Sequence, residues 1–158
     1  MTKTIPELLK DLDSPLVIHR VYAVIALGKM GNVEVVPSLI EATKDNNHIV
    51  RDNAAFALGE LGDSRALYTL ISLLKDEHPL VRKSSAKALG LLGHPSAIPH
   101  LGKLINDVGG LVRRNAVRSL GKIGNASAKP YVEAYLNDPN PAVKAAAREA
   151  LAKLTGHT

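Results

Sequence analysis

Apolar residues recur along this chain in two alternating patterns. Short segments carry them in tight helical clusters, as in Leu39 and Ile40 or in Leu70, Ile71, Leu73 and Leu74. Longer segments carry a stripe such as Val50, Ala54, Ala57, Leu58 and Leu61, spaced i, i+4, i+7, i+8 and i+11. That spacing keeps one face of a helix apolar. Polar breaks rich in turn formers ("KDNNH", "KDEHP", "NDVGG", "NDPNP") divide each short segment from the long one that follows.

The pair of patterns returns every 31 residues, giving units at about 5–35, 36–66, 67–97, 98–128 and 129–158. The first helix of a unit opens at Pro6, Pro37, Pro99 or Pro130, since proline suits a first turn in which its missing N–H is not needed. Tyr68 is the departure, in the third unit. No linker, composition break or low-complexity segment separates the units, so one domain is expected over residues 1–158. Two short helices cannot bury enough apolar surface to stand alone, and stacking unit on unit supplies the rest. The fold predicted is all-α, an α-solenoid (superhelix) of about five helical hairpins.

The words "ALGKMGN", "ALGELGD", "ALGLLGH" and "SLGKIGN" close successive second helices. Their second glycine (Gly31, Gly62, Gly93, Gly124) suits a left-handed helix stop. The first (Gly28, Gly59, Gly90, Gly121) lies one turn inside, where glycine is unfavourable unless a neighbouring helix comes close. An acid and a base also recur six apart: Asp45 and Arg51, Asp76 and Arg82, Asp107 and Arg113, Asp138 and Lys144, with Ser14 before Arg20 in the first unit. A catalytic acid–base pair would occur once, in one pocket, so this recurrence reads as structural.

The pattern D-x5-R…A-x2-A-L-G-x-L-G-D resembles HEAT repeats, specifically the short HEAT-like type named after phycobilisome lyases, over about residues 5–155. The resemblance implies that Asp and Arg tie the inter-helix turn and link neighbouring units, and that the second helices line a concave surface. Its functional content is wide, since the type includes scaffolds, bilin lyases, DNA glycosylases and a metal-dependent hydroxylase.

Composition narrows these options. Without cysteine there is no disulfide framework, thiolate metal site or cysteine nucleophile. His48 and His78 fall in successive turns, but no His-Glu dipeptide of the hydroxylase kind occurs and they read as solvated. No catalytic, cofactor-binding or metal-binding residues are therefore assigned. If the chain is an enzyme, the resemblance points to a bilin lyase-like activity. The longest apolar run, Val21–Leu27, is too short to span a bilayer, and the N-terminus lacks a signal-peptide core. A cytoplasmic protein is the default expectation.

Charge is divided along the chain. Residues 1–81 hold eight Lys/Arg against eleven Asp/Glu, a balance of −3, and residues 82–158 hold twelve against four, a balance of +8. On the expected concave face the units differ most, through Val21, Tyr22, Ile25, Asn53, Phe56, Lys83, Lys87, Arg114, Asn115, Arg118 and Lys122. That strip is apolar at its N-terminal end and basic in units three and four, which suits a protein or peptide with an acidic surface. The alternatives are bilin binding or transfer, with basic side chains on the propionates, and third, basic contact with a nucleic-acid backbone. The absence of Trp and of a catalytic acid among aromatics disfavours a glycosylase. The fifth unit reads as a cap, Arg148 standing where Val24 and Val117 stand in other units. Both a monomer and a homodimer through the N-terminal end are compatible with the sequence.

Overall fold

The computed structural model describes residues 3–156; the first two residues of the expected domain and the last two of its fifth unit lie outside the described residues. Five helix pairs follow one another: α1 (Ile5–Asp11) with α2 (Val17–Lys29), α3 (Val36–Ala42) with α4 (His48–Leu61), and α5 (Leu67–Leu73) with α6 (Pro79–Leu92). The last two are α7 (Ile98–Lys103) with α8 (Gly110–Ile123), and α9 (Lys129–Ala134) with α10 (Pro141–Thr155). Among the described residues there is no strand. Each unit from the second onward is entered through a single 3-10 turn, such as Val33–Val35 before α3, a detail the hydrophobic pattern does not reveal. The prolines sit in the first turn of their helices, and Tyr68, which lacks that role, projects into solvent at 76% exposure.

The even-numbered helices pack side by side into one continuous layer, and the odd-numbered helices, about half as long, cover its back. Leu8, Leu39, Leu70, Leu101 and Val132 point inward from the odd helices, and Leu27, Leu58, Leu89 and Leu120 meet them from the even ones; all nine are fully buried. Ser85 takes a place that is alanine in the other units, and its hydroxyl donates to the Leu70 carbonyl, so the core gains no orphaned polar group.

Two glycines show how the even layer closes. Gly59 lies inside α4, and a Cβ built there would come within 2.6 Å of Ala88 Cα on α6. The missing side chain lets two backbones approach closely. Gly62 ends the same helix at φ 66, a left-handed conformation that costs glycine no Cβ strain. Even helices therefore sit tightly together while odd helices barely meet one another.

The recurring arginines and aspartates form a ladder across the turns. Arg20, Arg51, Arg82 and Arg113 each donate from Nε to the Asp one unit ahead (Asp45, Asp76, Asp107, Asp138) at 2.7, 2.8, 2.6 and 2.6 Å. Each also donates from Nη1 to a backbone carbonyl in its own turn, as Arg51 does to Asp45 O at 2.9 Å. The acid and base six apart in sequence are thus joined through the backbone, and the ion pairs run between units. The Arg113 hydrogen bond holds the Asp138 carboxyl below its ordinary pKa against the opposing effect of burial. For Asp45 and Asp76 burial is the largest influence and pushes upward, yet the guanidinium of Arg20 or Arg51 and a backbone N–H together bring each carboxyl below its ordinary value.

The fifth unit carries charge at positions that are buried in earlier units. Lys129 is exposed where Val36, Leu67 and Ile98 are buried, and Arg148 is exposed where Val24 and Val117 are buried.

Candidate partner-binding face

The even helices leave their outer stripe uncovered, and the variable residues lie along it. At the N-terminal end Tyr22 and Ile25 are 50% and 36% exposed, and Val21 is half-buried against the edge of the core. On α4 the only phenylalanine of the chain, Phe56, remains 40% exposed although a buried place would remove it from water. Lys87 of α6 lies over its ring, Nζ 4.7 Å from the centroid, so the apolar and basic halves of the strip meet in one cation–π contact.

Ile25, Asn53 and Phe56 come together with Gly28, Lys29 and Glu60 around a groove of about 440 Å³ between α2 and α4. Arg118 and Lys122 line a second depression of about 480 Å³ between α8 and α10, with Glu149 and Lys153 opposite. Lys83, Arg114 and Asn115 line neither, and lie half-buried between the two. Asn53 and Asn115 each spend their Nδ2 on the carbonyl one turn back, Ile49 O and Leu111 O, at 2.8 Å.

The charges on this face are largely without partners. Lys83, Lys87, Arg114, Arg118 and Lys122 form no ion pair among the described residues, and Arg114 Nε is covered without a hydrogen-bond partner. With Lys29, the cations of this strip on α2, α4, α6 and α8 outnumber its carboxylates, Asp52 and Glu60, by six to two. The contrast is with a cleft of about 410 Å³ between α1 and α3. There Lys44 is paired with Glu41 at 2.8 Å and Asp45 with Arg20, so of its charges only Asp13 is without an ion pair among the described residues.

His48 and His78 are half-buried, not freely solvated: their rings stack 3.7 Å apart, and His78 Nδ1 accepts from Leu80 N at the start of α6. Among the described residues no three His, Cys, Asp or Glu side chains converge as a metal site would require. None of the described helices is long and apolar enough to cross a membrane.

One further set of exposed residues gives no signal in the differences between units. Ile18, Ile49, Leu80 and Leu111 stand at the same place in four successive units, on the first turn of α2, α4, α6 and α8. Aligning the units by their 31-residue period would have shown this apolar column beside the core stripe.

Comparison with known proteins follows this geometry closely. The family model described as HEAT repeats matches residues 5–72, 39–110 and 106–158. A chain of the CpcE–CpcF complex of phycocyanin lyase from Nostoc sp. PCC7120 superposes with a TM-score of 0.87 at 30% identity, over 99% of this chain and 66% of that one. Human deoxyhypusine hydroxylase superposes with a TM-score of 0.67 at 22% identity, over 96% of this chain and 74% of that one. A designed armadillo repeat protein in complex with the peptide (KR)4 gives 0.70 at 22% identity, over 95% and 81%. The last two share the fold alone. No protein of curated function matches the sequence. From the glycine-closed even layer, the Arg–Asp ladder and the family match along residues 5–158, the chain belongs to the HEAT-repeat family, with repeats of the phycobilisome-lyase type.

Proposed function

We propose that this protein is a non-enzymatic binding scaffold that holds a protein partner on its even-helix face. The observation that carries the reading is Phe56, half-uncovered beside a groove and next to cations that have no acid of their own. An aromatic anchor in a shallow groove supplies contact area, and unpaired cations beside it select an acidic surface. Val21, Tyr22, Ile25, Asn53 and Phe56 form the apolar end of this site, and Lys83, Lys87, Arg114, Asn115, Arg118 and Lys122 its basic end.

The two ends should separate kinetically. Phe56 keeps roughly 80 Å² still to bury, two-fifths of a phenylalanine's ~200 Å², worth about 2 kcal/mol or about thirtyfold in Kd. Phe56→Ala should raise the dissociation rate of the captured partner by about that factor. Arg118→Glu should slow association and flatten its salt dependence. Arg118 is exposed, so its variant should melt like the parent. Phe56→Ala removes the three-fifths of the ring already packed on the fold, and should melt lower while keeping a parent-like circular dichroism spectrum at the assay temperature. If partner capture and its kinetics are the same for the parent and both variants, the even face is not the binding surface.

Bilin handling is a second reading, favoured by the similarity to a phycocyanin lyase chain that this one spans for 66% of its length. In this reading Ile25 and Phe56 cover the tetrapyrrole and the basic residues of α6 and α8 meet its propionates. Titrating a free bilin into the protein tests it: an unchanged absorption spectrum eliminates bilin binding.

A further inference from the structure

Ile18, Ile49, Leu80 and Leu111 are 69%, 44%, 40% and 61% exposed. The core does not need them, because the next residue in three of these units, Val50, Val81 or Val112, already fills the buried place. One exposed aliphatic side chain is ordinary, but four in a row across neighbouring helices make a continuous apolar ridge.

The ridge is one wall of a trough. One turn along the helices, Asn53, Ser84 and Asn115 stay low, with Ser84 only 6% exposed and both asparagines tied back to their own helices. Two turns along stand Phe56, Lys87 and Arg118, all exposed. An i to i+7 step sets the two walls about 10.5 Å apart, and an α-helix with its side chains is about 10–12 Å across. The floor is small, one wall is aliphatic and the other becomes cationic.

We propose that this trough receives an acidic amphipathic α-helix of about 20 residues from the partner, laid across the even helices. Its aliphatic stripe lies on Ile49, Leu80 and Leu111, and its carboxylates meet Lys87 and Arg118. The proposal rests on the reading of the even face as the partner-binding surface and adds the form of the occupant. The repeat distance selects a helix. Packed helices lie about 8–10 Å apart, and a helical ligand presents the same face again after seven residues, about 10.5 Å. An extended strand covers that distance in about three residues, which turns its side chains to the opposite wall. Charge excludes a second copy as the occupant, since two faces with six cations to two carboxylates each would repel. A nucleic-acid backbone would leave the aliphatic wall without a partner.

The test is fluorescence anisotropy of the full chain with a labelled 21-residue synthetic helix, leucine at heptad spacing and glutamate along one flank. Saturable binding is expected, weakened about tenfold by Leu80→Ser combined with Leu111→Ser, and about tenfold by Lys87→Glu. A central proline in the peptide should weaken it at least as much. Far-UV circular dichroism and melting curves of the variants show that the fold is kept. No binding by the peptide overturns the proposal, as does binding indifferent to Leu80 and Leu111. Equal binding by the proline-broken or scrambled peptide overturns the helix. Equal binding by a lysine-for-glutamate peptide or a thymidine oligonucleotide overturns the acidic assignment. Partner capture that still responds to Phe56→Ala and Arg118→Glu in these cases leaves the binding face standing, so the two failures are distinguishable.

Discussion

Replacing Asp76 by asparagine would cut one rung of the ladder while leaving the shape of the side chain almost unchanged. In the parent, the carboxylate accepts from Arg51 Nε at 2.8 Å and Nη2 at 3.0 Å, and from the His78 backbone N–H at 2.8 Å. Asparagine keeps one acceptor oxygen but sets an NH2 against the guanidinium, and leaves the covered charge of Arg51 with only the longer contact to the exposed Glu77 carboxylate, at 3.3 Å. Removing one member of a buried pair costs about 3–5 kcal/mol. The side chains of Arg51 and Asp76 are only 10% and 9% exposed, but the pair lies at the turn edge of the solenoid with water close by. A cost at or just below the bottom of that range, about 2–3 kcal/mol, is therefore expected for Asp76→Asn at pH 7. Urea denaturation followed by circular dichroism measures it. Lys44→Ala, which breaks an ion pair 67% and 70% exposed, serves as the control and should leave the midpoint unchanged.

The pH dependence checks the cause. The folded-state pKa of Asp76 is depressed, so as pH falls below the ordinary carboxylate value near 4 the unfolded chain binds the proton first. The rung's contribution is complete above that value and is lost as pH falls through the lower folded pKa. The difference between parent and Asp76→Asn should therefore shrink in that acidic window. A midpoint shift below about 0.5 kcal/mol at pH 7, or a difference that persists undiminished when the carboxyl is protonated, would refute the ladder as an electrostatic brace.

Two further predictions concern packing between units. Gly59→Ala should destabilise the protein by about 1–3 kcal/mol although alanine favours helix by about 1, because its Cβ would meet the Ala88 backbone; a higher melting temperature would show that the helices are not held that close. Tyr135→Phe removes the hydroxyl that donates to Leu101 O at 3.0 Å inside the core, and chemical denaturation should show a loss of about 1 kcal/mol. An unchanged midpoint for that variant would mean the bond adds nothing to the docking of the last unit.

The repeat, its helices and its glycine stops were legible because each is written several times. Gly62 and Gly59 look alike in one word, but the recurrence separates a stop from a contact. That arginine and aspartate link neighbouring units was implied by the HEAT-like resemblance, but the direction was not: six-residue spacing alone suggests a local pair, and the stacking of units brings Arg51 forward to Asp76. The variable strip was visible as the set of positions at which units disagree, yet its relief was hidden. Side-chain height depends on local bonds, such as those that hold Asn53 and Asn115 down, and those carry no periodic signal. The Ile18–Leu111 column escaped for the opposite reason. It agrees from unit to unit, and agreement reads as core.

The ends of the ladder bear on assembly. A repeat stack whose first turn offered a free aspartate and whose last turn offered a free arginine would present complementary halves at its two poles. Copies could then add head to tail, rung upon rung, because a head-to-tail contact leaves each outer pole open to a further copy unless the rotation closes a ring. Here Ser14 occupies the acid's place in the first unit, Lys144 stands in place of the arginine in the last, and Lys129 and Arg148 charge the surface that a sixth unit would need. The Arg–Asp pair that joins neighbours inside the solenoid therefore has no matching aspartate and arginine at the two ends of this ladder.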